Sequence, residues 1–192
     1  MGVKIAVFAS GTGTNADAII RFFKADEVAD VTLVVSSKHG AGVLDVADGH
    51  GVVSVVVDKD VMADEEVLLA LLEAYEIDFI VLAGWLRLIP PFLVRAFNGR
   101  MLNIHPALLP KFGGKGMWGH HVHEAVKAAG EKVSGITIHQ VSEAYDEGAI
   151  VAQFETSVEA NDSASDIEAK VRALELKHFP VVIKKFILAS MG

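Results

Sequence analysis

Short apolar runs rich in β-branched residues alternate with helically spaced segments along the first 84 residues. The runs are typical of strands covered on both faces of a parallel sheet, and they lie at residues 3–9, 31–37, 52–57 and 78–83. Before the fourth run, apolar residues between positions 67 and 75 share one helical face. This alternation predicts right-handed crossovers and a doubly wound, Rossmann-like sheet.

After Pro90 and Pro91 the pattern changes. Residues 101–105 form a fifth apolar run, whereas residues 133–141 alternate and residues 149–158 follow a turn. Alternation indicates a strand covered on one face, which is typical of antiparallel pairing. The predicted fold class is therefore α/β, with a mixed sheet that is parallel in its N-terminal half and partly antiparallel in its C-terminal half.

A long C-terminal helix is predicted to follow the last strand. Asn161, Asp162 or Ser163 can cap its first turn, and an apolar stripe continues beyond residue 170. Pro180 interrupts this stripe and is expected to kink or restart the helix, because proline lacks a backbone N–H.

Composition narrows the class of protein. The 192 residues include no cysteine and carry 17 Lys+Arg against 25 Asp+Glu, a net charge of −8. The length predicts one domain. The absence of cysteine excludes disulfides and thiolate chemistry, and we expect a reducing compartment, the cytoplasm. The longest apolar run, residues 79–86, is too short to span a membrane, and residues 5–9 are too few for a signal-peptide core. The acidic balance argues against nonspecific nucleic-acid binding.

A glycine-rich turn, Ser10-Gly-Thr-Gly-Thr-Asn15, follows the first predicted strand. The N–H groups at the start of the next helix would form an anion site that suits a phosphate. The spacing matches neither the dinucleotide nor the nucleoside triphosphate motif. The alternative is an ordinary turn capped by Thr14 or Asn15.

Asn103 and His105 lie two residues apart on the fifth predicted strand, so their side chains point to the same side. Asparagine can donate to a carbonyl oxygen and histidine can transfer a proton, although a satisfied polar pair is the alternative. Asp146 fits an ordinary Asp-Glu-Gly turn, unless the fold brings it to His105, where its carboxylate would favour the imidazolium.

A basic, glycine-rich segment spans residues 111–121 and contains Lys111, Lys115 and Trp118. It is predicted to be either a lid over an anionic ligand or a mobile surface loop. His120 and His121 end this segment, and His123 and His139 follow it, but no H-E-x-x-H motif or cysteine accompanies these histidines, so no metal is expected.

Four motifs together resemble the phosphoribosylglycinamide formyltransferase family, within the wider group of folate-dependent formyltransferases. In chain order they are Ser10-Gly-Thr-Gly-Thr-Asn15, Val81-Leu-Ala-Gly-Trp-Leu-Arg87, Leu102-Asn-Ile-His-Pro-Ala-Leu-Leu-Pro110 and Asp146-Glu-Gly-Ala-Ile150. The resemblance covers nearly the whole chain. The segment 111–121 is longer and richer in glycine than the commoner form, and the extended C-terminal tail of some relatives is missing.

The resemblance implies formyl transfer from 10-formyltetrahydrofolate to the amine of glycinamide ribonucleotide, in purine synthesis and without a metal. It implies a catalytic set of Asn103, His105 and Asp146, with His139 as a candidate supporting residue. The implied substrate contacts are Gly13, Thr14 and Asn15 for the phosphate and Glu175 for the ribose. The implied folate contacts are Arg87, Leu88, Ile89, Ser142, Glu143 and Ala144. Residues 1–100 would form a mononucleotide-binding half and residues 101–192 a catalytic and folate-binding half.

Three alternatives remain open on the sequence. A sibling formyltransferase that acts on methionyl-tRNA, or a formyltetrahydrofolate hydrolase, would be expected to need a further domain. A binding module would hold the ligands without reaction.

Two further points are left open by the sequence. The amine's proton could travel through His105 or through a water held near Asp146, and the chain could be a monomer or a homodimer.

Overall fold

A computed structural model describes residues 2–191 and contains one seven-stranded sheet in the order β3-β2-β1-β4-β5-β6-β7. The strands are β1 (Val3–Phe8), β2 (Ala29–Ser36), β3 (Val53–Val56), β4 (Phe79–Leu82), β5 (Met101–His105), β6 (Val133–Gln140) and β7 (Ile150–Ser157). β1 to β5 pair in parallel, whereas β5-β6 and β6-β7 pair antiparallel. The predicted mixed, doubly wound sheet is confirmed.

The helices of residues 2–191 are α1 (Thr14–Lys24), α2 (Gly42–His50), α3 (Lys59–Ala63), α4 (Glu65–Ala74), α5 (Pro91–Ala96), α6 (His120–Ala128) and α7 (Ala164–Ser190). Two apolar clusters cover the two faces of the sheet. One joins α1 and α7 to the sheet through residues such as Ile19 and Phe179, and the other joins α4 and α5 through Leu68 and Leu93. No helix within residues 2–191 is both long enough and apolar enough to cross a membrane.

The long helix α7 begins as predicted and continues further than predicted. The Ser163 side chain accepts from the Asp166 backbone, and Asp166 accepts from Ser163 in return, which completes a capping box. The expected restart at Pro180 is wrong, since the helix runs through this residue. Proline removes one helical hydrogen bond, but the neighbouring Phe179 and Ile183 are fully buried, and their packing stabilises the continuous helix.

Candidate active site

A cavity of about 660 Å³ opens at the carboxyl ends of β1, β4 and β5. Ligands gather at this edge in doubly wound folds, because the sheet order reverses there and the loops diverge. Asn103, His105 and Asp146 all line the cavity. The structure therefore brings together three polar residues that lie as far as 43 positions apart in the sequence.

The His105 ring is held at the end of β5 by a backbone carbonyl. Its Nε2 lies 2.7 Å from the Phe112 carbonyl oxygen, which can only accept, so Nε2 carries a proton and donates it. Nδ1 is then the nitrogen that faces Asp146, at 3.5 Å from Oδ2. Burial lowers the pKa of His105 more than Asp146 and the Phe112 carbonyl raise it. A neutral imidazole with a free Nδ1 is the result.

Asp146 occupies a tight connection between β6 and β7, with a left-handed backbone at φ 57°. The Gly114 N–H donates to its Oδ2 at 2.9 Å, and His139 Nε2 lies 3.5 Å from Oδ1. Burial raises the pKa of the Asp146 carboxyl, but the contacts with His139, His105 and Gly114 together lower it below its ordinary value. The carboxylate is therefore ionised beside the free nitrogen of His105.

Close packing requires a glycine at position 148, two residues after Asp146. A Cβ on Gly148 would lie 1.7 Å from the Gln140 carbonyl oxygen, a distance that no side chain can adopt. The absence of a Cβ lets the two strands approach and directs the Asp146 side chain toward the cavity.

Asn103 is oriented by its cross-strand neighbour His139. His139 Nδ1 lies 2.8 Å from the Gln140 carbonyl oxygen and therefore carries a proton, and in the tautomer with its only proton there Nε2 accepts from Asn103 Nδ2 at 3.0 Å. This contact leaves the second N–H of the Asn103 amide available for a ligand. His139 also lines the cavity, and its place agrees with that of a supporting residue.

One end of the cavity is polar and lies at the start of α1. Gly11, Thr12 and Asn15 line it, and Asn15 Nδ2 donates to Glu175 Oε2 at 2.8 Å. Burial raises the pKa of Glu175, although the Asn15 hydrogen bond opposes this effect. The predicted pair of Asn15 and Glu175 is thus brought together from α1 and α7.

Gly13 and Thr14 do not line this end of the cavity. Gly13 caps α1 with φ 85°, and a Cβ there would lie 2.7 Å from the Val43 Cα. The glycine is therefore required for close packing of α1 against α2. The Thr14 hydroxyl contacts the Thr12 hydroxyl at 3.1 Å and capping by a Thr14 or Asn15 side chain is not observed.

The opposite end of the cavity is less polar and is formed by two loops. Most of the predicted folate contacts line it, namely Arg87, Leu88, Ile89, Ser142 and Ala144. Glu143 is not among the lining residues, because its carboxylate turns to Arg95 at 3.3 Å. Each end of the cavity contains residues from both halves of the sequence, 1–100 and 101–192.

The glycine-rich segment covers one side of the cavity. Lys115 and Trp118 line it, and Trp118 is 47% exposed. Lys111 does not line this cavity, because its ammonium pairs with Glu131 at 2.8 Å beside a second cavity of about 290 Å³. The Phe112 carbonyl and the Gly114 N–H bind His105 and Asp146, so this segment is attached directly to the reactive groups.

Sequence reasoning missed several lining residues. Gly11 and Thr12 belong to the predicted anion-binding turn but not to the predicted phosphate contacts, and His123, Glu168 and Arg172 carry no predicted role in the site. Glu168, Arg172 and Glu175 repeat at spacings of four and three, so their helical spacing could have placed them on one face. Within residues 2–191, no group of three or more His, Asp or Glu residues is arranged to hold a metal ion.

Comparison with known proteins gives a consistent result. A family model described as formyl transferase matches residues 3–183. Phosphoribosylglycinamide formyltransferase of Bacillus subtilis is 36% identical over 96% of this chain and 94% of its own length. The chloroplastic enzyme of that name from Arabidopsis thaliana is 43% identical over 94% of this chain, and the chain spans 64% of that protein's length.

A solved structure shares the fold. The crystal structure of phosphoribosylglycinamide formyltransferase from Bacillus halodurans superposes with a TM-score of 0.86 at 38% identity, covering 96% of this chain and 95% of that one. The resemblance drawn from the four sequence motifs is therefore confirmed. This chain belongs to the formyl transferase family.

Proposed function

We propose that this chain transfers the formyl group of 10-formyltetrahydrofolate to the amine of glycinamide ribonucleotide, a step of de novo purine synthesis. The observation that carries the proposal is the convergence of Asn103, His105 and Asp146 on one cavity in a member of the formyl transferase family. The names of its bacterial and plant relatives support glycinamide ribonucleotide as the acceptor.

The polar end of the cavity suits the ribonucleotide. In a chain of net charge −8, a dianionic phosphate must be held by local donors, and Thr12, Asn15 and the start of α1 supply them. The half-buried Glu175 carboxylate can accept from the ribose hydroxyls. The less polar end, formed by residues 86–89, 141–142 and 144–145, suits the flat ring system of a folate.

Formyl transfer needs a stabilised oxyanion. The amine nitrogen bonds to the formyl carbon, and the formyl oxygen takes the electron pair of its double bond. The free N–H of Asn103 can donate to that oxygen, a contact that contributes about 3 kcal/mol when prepositioned. His139 keeps the amide turned the right way by accepting its other N–H.

The proton of the attacking amine is assigned to His105. Nδ1 of the neutral ring accepts it while Nε2–H remains on the Phe112 carbonyl, and Asp146 stabilises the imidazolium that forms. The bond between the formyl carbon and the folate nitrogen then breaks, and Nδ1 returns the proton to that nitrogen. The lowered pKa of His105 keeps the ring neutral, and so able to act as a base, at neutral pH.

The test compares three incubations with 10-formyltetrahydrofolate: alone, with glycinamide ribonucleotide, and with methionyl-tRNA. Loss of the formyl group that depends on the ribonucleotide supports the proposal. Loss without an acceptor would support a hydrolase, transfer to tRNA a sibling transferase, and binding without turnover a binding module. The His105→Asn variant should bind folate normally and show no ribonucleotide-dependent turnover.

A further inference from the structure

One buried imidazole on the cavity wall has no part in the reaction described above. His123 lies in the first turn of α6, is 3% exposed and lines the cavity. Its Nδ1 is enclosed and has no hydrogen-bond partner. A buried polar atom without a partner destabilises the folded protein by about 1–3 kcal/mol, and a role for the other ring nitrogen, Nε2, would explain why the site retains a histidine.

The neighbouring charged groups are already paired with one another. Glu168 is the carboxylate that acts on His123, but its Oε2 lies 2.7 Å from His120 Nδ1 and its Oε1 lies 2.7 Å from Arg172. Arg172 and His120 are thereby both bonded to Glu168. His123 and His105 line the same cavity. The ring is thus left without a partner between α7 and the reactive centre.

The proton of the neutral ring belongs on Nε2. Burial lowers the pKa of His123, and this effect outweighs the attraction of Glu168, so the ring is neutral. An enclosed nitrogen without a partner is tolerated better as a lone pair than as an unmatched N–H. With Nδ1 enclosed, Nε2 is the nitrogen left to meet a ligand, and it presents a neutral N–H donor.

The proposed substrate has one polar group that still needs a partner. Its phosphate is assigned to Thr12 and Asn15, its ribose hydroxyls to Glu175 and its amine to His105. The remaining group is the carboxamide that joins the ribose to the glycyl amine. Its carbonyl oxygen is an acceptor, and it must lie between the ribose end and the reactive centre. His123 lines the same cavity from α6, which packs against α7, the helix that carries Glu175.

We infer that Nε2–H of His123 donates a hydrogen bond to the carboxamide oxygen of glycinamide ribonucleotide and so positions the amine for attack. This inference rests on the proposed function. The glycyl arm has several rotatable bonds, and fixing its carbonyl restricts the directions from which the amine can reach the formyl carbon. His123 is a substrate-positioning residue in this assignment, separate from the groups that handle the proton.

The test uses two variants of the whole chain. His123→Met removes the donor and keeps an apolar side chain of similar size, whereas His123→Gln retains an N–H near the position of Nε2. His123→Met should weaken ribonucleotide binding, measured by calorimetry, about tenfold and leave folate binding unchanged. His123→Gln should recover most of the affinity. His178→Met, a histidine outside the cavity lining, is the control for loss of a ring.

A second measurement separates positioning from a purely structural role. His123→Met removes the enclosed, unmatched nitrogen, so the ligand-free variant should unfold at the same temperature as the wild type or higher, although it binds substrate more weakly. An analogue with a methylene in place of the carboxamide carbonyl should bind the wild type and His123→Met equally. Unchanged ribonucleotide affinity in His123→Met, or a tenfold penalty that persists with the analogue, would overturn the inference.

The inference and the proposed function fail in different ways. If the wild-type chain neither binds nor formylates glycinamide ribonucleotide, the proposed function is wrong and the inference falls with it. If the wild type formylates the ribonucleotide and His123→Met binds it normally, only the role of His123 is wrong.

Discussion

Replacing Asp146 by asparagine should separate catalysis from folate binding. Nδ1 of His105 lies 3.5 Å from Asp146 Oδ2, and both side chains are largely buried. Unit charges at this separation attract by about 5 kcal/mol at an effective dielectric constant of about 20. Asparagine retains a dipole but no charge, so we expect about 4 kcal/mol of this stabilisation to be lost as the imidazolium forms. The turnover number should fall about a thousandfold.

Folate affinity should change little in the same variant. The asparagine oxygen can still accept from the Gly114 N–H, so the glycine-rich segment and the cavity wall stay in place. The folate KM should remain within about threefold of the wild-type value, since a group that acts mainly in the transition state affects turnover more than ground-state binding. Absorbance of the deformylated folate follows both parameters, and Glu147→Gln, an exposed carboxylate outside the cavity lining, is the matched control.

The pH dependence gives a further check on Asp146→Asn. Burial lowers the pKa of His105, and the Asp146 carboxylate opposes this lowering. Removal of the carboxylate therefore lowers the pKa of His105 further. If neutral His105 is the base, the acidic limb of the profile must move to lower pH. A limb that moves to higher pH, or equal losses in turnover and folate affinity, would refute the assignment.

Three other substitutions test the two ends of the cavity and its cover. Gly13→Val should lower the free energy of unfolding by about 3 kcal/mol, because its Cβ would meet Val43 and its φ is positive; a normal melting temperature with selective loss of ribonucleotide binding would contradict this. Burial raises the pKa of Glu175, so ribonucleotide affinity in the wild type should increase as pH rises through this raised pKa. Calorimetry should show a smaller increase in Glu175→Gln, where only the substrate phosphate still ionises. Lys115→Met should raise the ribonucleotide KM severalfold, whereas Lys111→Met should leave it unchanged; equal effects would show that the lysines do not differ in their access to substrate.

The order of strands and helices could be read from the chain because it depends on local pattern. The β-branched runs at β1, β2 and β4 reflect strands covered on both faces, and neighbouring residues carry that pattern. The alternation along β6 predicted cover on one face only, and this is wrong, because residues 134–139 are all buried. Asn103 and His105 could be paired for the same reason, since residues two apart on a strand share a side. The continuity of α7 through Pro180 could not be predicted from the sequence, because it depends on packing of the helix against the sheet.

The residues of the site that lie far apart along the chain were decided by the tertiary structure. Lys111 and Lys115 are chemically alike and four positions apart, yet only Lys115 lines the cavity, because Glu131 holds Lys111 elsewhere. The sequence does not distinguish His123 from the other histidines. In the folded protein α7 packs beside α6, and Nδ1 of His123 is enclosed. Local pattern thus determined the elements of this protein, while burial and charge pairing between distant segments decided which side chains face the cavity, and in what state of protonation.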